Sequence, residues 1–219
     1  MSRIARLLKN HRISARQRAV VHRIAALVLD YPDEQLRADL PHLRTAAQRL
    51  PEPVRGHLGG VLDHLEQTPL RRLTEDYVAT FDLRRRCCLY LTYYAHGDTR
   101  KRGVALLGFK HAYRAAGLEP ATEELPDHLC VLLEFSATTD PDAGARLLVR
   151  YRAGLELLRL ALIDADSPYA GALAAVSATL PPLTGRDRDA VARLVAEGPP
   201  EEENGPAPFA LPDYIGART

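Results

Sequence analysis

An all-α fold is what this sequence predicts. Apolar residues recur every three or four positions in one segment after another, and Pro or a small polar residue opens most of those segments. No run alternates apolar and polar side chains in the manner of a half-buried strand. With 219 residues, 46% of them hydrophobic, the chain is long enough to bury a substantial core. The expectation is a single compact bundle of about eight or nine helices, spanning roughly residues 14–197.

The elements follow in order. Ser14 is placed to cap a helix running to about Leu29, with Val20, Ile24, Leu27 and Val28 forming its apolar stripe, and Tyr31-Pro32 ends it. From Asp33 to Leu50, Leu36, Leu40, Leu43 and Ala47 keep helical step, and Pro41 is expected to kink this segment or divide it. After Pro51 and Pro53, the segment from Val54 to Gln67 aligns Leu58, Val61, Leu62 and Leu65, although Gly59-Gly60 weakens the pattern. Thr68-Pro69 opens a helix expected to extend from Leu70 to about Arg86, with Leu73, Tyr77 and Phe81 at four-residue spacing. Leu89 to Tyr94 is aromatic and apolar and reads as a short helix or an extended connector, for want of a pairing strand elsewhere. His96 to Thr99 is a turn. Asp98 or Thr99 caps the next helix, which passes through Val104, Leu107, Phe109 and Tyr113 and stops at Gly117. Pro126 reads as the first helical position of another helix, with Leu129, Val131, Leu132, Leu133 and Phe135 buried. Asp140-Pro141 opens one long helix to about Asp164, Ser167-Pro168 opens one from Tyr169 to Leu180, and Thr184 starts a last helix ending near Gly198. Residues 1–13 form a basic N-terminal segment. Residues 198–219, rich in Pro and Glu, are expected to be a disordered tail.

Composition excludes several classes of function. Twenty-nine Lys and Arg against 28 Asp and Glu give a formal charge of +1, too balanced for a histone-like nucleic-acid coat or an acidic tail protein. Three cysteines, two of them adjacent, make a poor disulfide framework and point to a reducing compartment, the cytoplasm. No apolar stretch is long enough for a membrane span. The basic start, Met1 to Arg23, lacks the apolar core and cleavage site of a secretory signal.

The motifs of phosphate binding, zinc proteolysis and serine hydrolysis are missing from the sequence, so no catalytic residue can be assigned. Cys87, Cys88 and Cys130 could enlist His96, His111 or His128 around zinc, but adjacent cysteines point at one ion with difficulty, and small buried side chains are the plainer reading. Neither metal nor cofactor is expected. Arg84-Arg85-Arg86 and Arg100-Lys101-Arg102 flank the aromatic segment and could suit single-stranded nucleic acid. Successive helical residues diverge, however, and Glu75, Asp76, Asp82 and Asp98 lie near as ion-pair partners. A nucleic-acid binder using these arginines, or a Cys/His enzyme, therefore stands as the alternative.

Two features carry more information. Seven of the thirteen aromatics lie between Tyr77 and Tyr113, and Tyr suits a groove that buries apolar side chains while bonding to backbone, or simply a core without Trp. In Pro126-Asp127-His128, Asp127 is favoured by a helix dipole and His128 can donate or accept at a helix mouth.

The runs Tyr77-Val78-Ala79-Thr80-Phe81-Asp82-Leu83-Arg84-Arg85-Arg86, Leu89-Tyr90-Leu91-Thr92-Tyr93-Tyr94, Gly97 to Gly103 and Glu124-Leu125-Pro126-Asp127-His128-Leu129, with Leu29-Asp30-Tyr31-Pro32 before them, closely resemble the delta-subunit, NarJ-type chaperones of respiratory nitrate reductase. The resemblance is good from about Val20 to Ala137 and continues by helical pattern alone to about Glu197. It implies the all-helical fold of the TorD/DmsD-type redox-enzyme maturation chaperones and a cytoplasmic protein that is not a subunit of the finished enzyme. Such a chaperone binds the N-terminal peptide of the nitrate reductase alpha subunit. It keeps the apoenzyme competent for insertion of the molybdenum bis-guanine-dinucleotide cofactor and delays membrane docking. Molybdenum cofactor delivery proteins are further candidate partners, and a monomer is expected. The resemblance maps the peptide groove onto Tyr77, Phe81, Pro126, Asp127 and His128, with Tyr90, Tyr93 and Tyr94 as further aromatic wall. On that reading Tyr77 and Phe81 supply apolar surface, and Asp127 and His128 meet the peptide's backbone or a basic side chain.

Overall fold

The computed structural model describes residues 13–119 and 124–198. The expectations for the basic N-terminus fall almost wholly outside them, as do those for the tail beyond Gly198. The described residues form eleven α-helices with no strand: α1 (Ala15–Val28), α2 (Glu34–Gln48), α3 (Val54–Gln67), α4 (Leu70–Tyr77), α5 (Leu91–His96), α6 (Arg100–Ala115), α7 (Leu129–Thr138), α8 (Pro141–Arg150), α9 (Arg152–Asp164), α10 (Ala170–Thr179) and α11 (Gly185–Glu197). A π-turn, Val78–Asp82, and a 3-10 turn, Arg85–Cys87, follow α4. Among the described residues no helix is long and apolar enough to cross a membrane.

The count exceeds the expected eight or nine because Leu91–His96 is a helix and the segment from Asp140 to Asp164 is two; a further segment stops short of where periodicity alone ran on. The helix expected from Leu70 to Arg86 keeps α-geometry only to Tyr77. It then widens, with the Leu83 N–H bonding the Val78 carbonyl at 3.1 Å, and ends in the 3-10 turn. The segment from Asp140 to Asp164 divides at Tyr151, whose side chain is buried and stacks on Phe109 at 5.0 Å. Pro41, by contrast, neither divides nor ends α2, which runs unbroken from Glu34 to Gln48.

Helix starts obey capping chemistry in most places. Ser14 with Gln17, and Thr184 with Asp187, form reciprocal capping boxes. Asp33 caps α2 through the Leu36 N–H at 2.7 Å, and Asp140 caps α8 through the Ala143 N–H at 2.8 Å. Gly117, with φ at +81°, closes α6 as the sequence suggested, and the Leu118 N–H reaches back to the Tyr113 carbonyl at 2.9 Å. Ser167 does not cap α10: its buried hydroxyl has no partner among the described residues. Val104 and Leu107 of α6 are exposed rather than buried.

α1 and α9 are the two hubs of the core. α1 packs on α7, α10, α2 and α3, while α9 packs on α10, α11, α5 and the 3-10 turn. Two buried polar clusters tie these layers together. His22 of α1 lies 2.9 Å from both Ser136 Oγ of α7 and Thr179 Oγ1 of α10. Glu156 of α9 accepts from Arg152 at 2.9 Å, Arg159 at 2.7 Å and Ser177 of α10 at 2.6 Å. Burial alone would raise the Glu156 carboxyl pKa, but these donors hold it below its ordinary value.

Candidate functional site

A cleft of about 670 Å³ opens beside α1 and α7, near the end of α6. Leu27, Val131 and Phe135 contribute its apolar floor, and His128 lies in its wall. Asp30, Glu119, Glu124 and Glu134 supply four carboxylates against the single guanidinium of Arg23. Arg23 pairs with Glu134, and Arg114 reaches Glu119 at 3.6 Å. Asp30 has no ion-pair partner among the described residues. The cleft is thus an apolar trough with an acidic rim, suited to an apolar segment carrying positive charge.

The strands of backbone that build this wall explain why Pro126-Asp127-His128 matters. Pro126 does not begin a helix. α7 starts at Leu129, and His128 stands before it in extended conformation. Tyr90 and His128 form an isolated antiparallel bridge, with the Leu129 N–H on the Leu89 carbonyl at 2.8 Å and the Leu91 N–H on the Asp127 carbonyl at 3.2 Å. Asp127 is wholly buried, and it serves a different helix from the one expected. Its Oδ2 accepts from the Thr92 N–H at 3.0 Å and the Thr92 hydroxyl at 2.5 Å, which caps the start of α5 from across the chain. Arg102 extends the chain of bonds, donating from Nε to Thr92 Oγ1 at 3.2 Å while its guanidinium lies 5.5 Å from the centre of the Tyr90 ring. The Tyr113 hydroxyl donates to the Pro126 carbonyl at 2.7 Å.

Tyr90 packs edge-on against His128, with centroids 5.2 Å apart, and donates its hydroxyl to Glu124 at 3.0 Å, so it sets one acid of the rim. Burial pushes the His128 pKa down against the pull of Glu124, Asp30 and Asp127. The imidazole is therefore neutral at pH 7, able to donate through one nitrogen and accept through the other.

Tyr77 and Phe81 lie elsewhere in the interior. The π-turn brings their rings to 4.8 Å, and with Tyr169, 5.1 Å from Phe81, they form an aromatic cluster that Tyr31 edges at 5.4 Å. Both are buried and line neither this cleft nor the one beside the Arg84–Arg86 run. The Tyr77 hydroxyl donates to the Leu29 carbonyl at 3.1 Å, so it anchors from beneath the turn that carries Asp30 to the rim. Tyr93 and Tyr94 face a second cleft, of about 610 Å³, between the Arg84–Arg86 run, α9 and the end of α11. The Tyr94 hydroxyl holds that run, 2.8 Å from the Arg86 carbonyl.

The eight residues singled out in the sequence therefore separate into one that lines the cleft (His128), three that support it from behind (Tyr90, Pro126, Asp127), an aromatic core (Tyr77, Phe81) and a second cleft (Tyr93, Tyr94). Sequence reasoning missed Leu27, Asp30, Glu124, Val131 and Phe135 as cleft residues. Asp30 and Glu124 stood inside quoted runs, and the signal that marks them is an acid beside a chain turn rather than a periodic stripe.

The cysteines offer no chemistry. Cys87 and Cys130 are buried, and burial raises all three thiol pKa values. Among the described residues no group of three or more His, Cys, Asp or Glu is placed to hold a metal.

Comparison with known proteins agrees with this architecture. The chain is 43% identical over 164 residues to the nitrate reductase-like protein NarX of Mycobacterium tuberculosis; the alignment takes in 73% of the chain but only 24% of that relative. It is 32% identical over 164 residues to a Bacillus subtilis protein named "Probable nitrate reductase molybdenum cofactor assembly chaperone NarJ", covering 74% of the chain and 89% of the relative. A solved structure from Archaeoglobus fulgidus, titled "Putative Redox Enzyme Maturation Protein", superposes with a TM-score of 0.55 at 24% identity, over 73% of this chain and 91% of that one, and shares the fold. The profile described as "Nitrate reductase delta subunit" matches residues 47–175, more than half of the sequence and the stretch that holds the bridge, the aromatic core and most of the cleft wall. The chain belongs to the nitrate reductase delta subunit family.

Proposed function

We propose that this protein is a cytoplasmic, non-catalytic assembly chaperone for a respiratory nitrate reductase. It binds the N-terminal peptide of the reductase alpha subunit, keeps the apoenzyme open to molybdenum cofactor insertion and delays docking at the membrane. The observation that carries this reading is the cleft between α1 and α7: an apolar floor, a neutral His128 and an acidic rim in one trough. Family membership and the Bacillus subtilis relative support the client and the task.

The peptide lays its apolar side chains on Leu27, Val131 and Phe135, and a basic residue meets Asp30 or Glu124. His128 bonds the peptide backbone. Tyr90, Pro126 and Asp127 fix the wall, and Tyr77 and Phe81 hold the Asp30 turn from below. Burying a large apolar side chain contributes about 1.5–3 kcal/mol, and ordering a flexible peptide costs about 2–5 kcal/mol. Four anchors at the upper figure, less the ordering cost, leave about 7–10 kcal/mol, an affinity on the order of micromolar. An affinity of that order suits a chaperone that must release its client.

Calorimetric titration of the full chain with the alpha-subunit N-terminal peptide tests the reading. Val131→Arg and Leu27→Asp put a charge at half-buried cleft residues that also touch the core, so weakening by tenfold or more is expected in variants whose cooperative unfolding shows them folded. Unchanged affinity in both folded variants would sink the assignment of this cleft.

A further inference from the structure

We infer that the acidic C-terminal segment of this chain, residues 201–215, docks in cis into the second cleft, with Glu201, Glu202 and Glu203 on Arg84, Arg85 and Arg86 and the apolar side chains Phe209, Leu211 and Ile215 on the floor between α9 and α11. This inference is independent of the client proposed above.

The chemistry of the cleft calls for an acidic and apolar occupant. Arg84, Arg85 and Arg86 line one side and are all exposed, and among the described residues none of them is ion-paired. Of the acids that the sequence placed near them, Glu75 and Asp76 pair with Arg71 and Arg72, Asp98 pairs with Arg102, and Asp82, exposed, pairs with none of the three among the described residues. Only Asp164 and Glu197 oppose the three guanidiniums within the cleft lining. The floor is apolar, with Leu157, Leu160 and Leu194 half-buried and Val195 62% exposed. Leu83, next to Arg84, is 75% exposed, and Ile163, next to Asp164, is 50% exposed. α11 contributes no buried residue of its own. Apolar side chains left this open beside unpaired cations mark a surface that something covers.

The chain itself delivers the complement. Gly198, the last described residue, lies in the cleft lining. The triplet Glu201-Glu202-Glu203 begins three residues later, within about 10 Å of extended chain. Beyond it come Phe209, Ala210, Leu211, Tyr214 and Ile215, with Asp213 among them. Acids come first and apolar residues after, and the cleft offers arginines beside an apolar floor. A tether this short raises the effective concentration to the millimolar range, so weak contacts suffice.

Hydrogen exchange by mass spectrometry on the full chain tests the docking. The amides of residues 84–98 and 157–165 and of the tail should exchange at least tenfold faster in the E201K/E202K/E203K variant, and faster in 0.5 M salt than in 0.05 M salt. Adding R84E/R85E/R86E to the tail variant should restore slow exchange, since the charge pairing is reversed intact. A Phe209→Ser variant separates the apolar contact from the charges and should loosen the tail without altering the response to salt at residues 84–86. Exchange that is identical in all variants overturns the inference. Protection that rises with protein concentration and accompanies a dimer in light scattering also overturns it, because the occupant is then the tail of a second copy. So does protection that appears only when a nucleic acid or another protein is added.

Discussion

At the scale of single residues, the most instructive side chain is Asp127. An acid at the start of an apolar helical run reads as a favourable charge at that helix's own N-terminus. The fold uses the same physics on α5 instead, through two bonds to Thr92. Its Oδ1 has no partner among the described residues, so the buried carboxylate is held through one oxygen. Asp127→Ala removes the cap and leaves the Thr92 N–H and hydroxyl buried without an acceptor. That loss should destabilise the protein by about 2–3 kcal/mol, read as a lowered midpoint in urea unfolding. The Tyr90–His128 bridge should loosen with it, and affinity for the client peptide should fall. His22 carries a second residue-scale prediction. Burial, aided by Arg18, lowers its pKa from 6.5 to about 3. The folded state thus keeps His22 neutral while the unfolded chain binds a proton below pH 6.5, so this contribution to stability is present above pH 6.5 and is lost as pH falls from there toward 3. Glu156, whose folded pKa is also depressed, adds a loss of the same sign at more acidic pH. Unfolding free energies measured between pH 7 and 4 should fall steadily, and His22→Gln should flatten the slope.

At the scale of elements, close approach decides what size a residue can be. A Cβ added at Gly171 would meet the His57 carbonyl oxygen at 2.5 Å and Val61 Cγ2 at 2.9 Å, so α10 seats on α3 only with glycine at this position. The blocking atom is backbone in the first turn of α3 and cannot swing aside as a side chain would. Gly171→Ala should therefore cost about 1–3 kcal/mol despite the better helix propensity of alanine, and thermal denaturation should show it as a lower Tm. Gly59→Ala on α3 is the control: a Cβ there meets nothing within 4 Å, and the variant should be neutral or more stable. The helices themselves were largely legible in the sequence because caps and period act locally. Ser14, Asp140, Thr184 and Gly117 each do what their chemistry suggested, and Asp33, read as the first residue of its helix, caps it instead. What was not legible was decided by partners distant in sequence. α4 gives way to a π-turn where Phe81 meets Tyr169, α8 and α9 part where Tyr151 turns in to Phe109, and Pro126 stays out of α7 because the chain beside it pairs with residues 89–91. The candidate site was legible in the same uneven way. Tyr90 and His128 were found, since an aromatic run and a helix start both show locally. Leu27 and Val131 were read as core, because a floor residue and a core residue share one helical period.

At the scale of the whole molecule, the formal charge of +1 conceals a division of labour. The cleft beside α1 and α7 gathers four acids around one arginine, while the second cleft gathers three arginines opposite two acids. A near-neutral protein thus presents two faces of opposite sign, and a ligand approaching from solution experiences the local field rather than the sum. If the client peptide carries its basic residue to the acidic rim, association should be faster than the neutral encounter rate and should slow as salt rises. The rim acids lie at the surface, where screening acts over about 10 Å at 0.1 M ionic strength. Rim charges of this kind govern the association rate more than the dissociation rate. The double variant Asp30→Asn, Glu124→Gln keeps the shape of the cleft and removes two of its four acids. Stopped-flow association of the peptide should therefore slow several-fold in this variant at low salt, and the difference from the parent chain should shrink toward nothing at 0.5 M salt, with the dissociation rate changed far less. An equal loss at both salt concentrations would instead assign Asp30 and Glu124 to direct, desolvated bonds with the peptide and remove the field from the account of how the client is found.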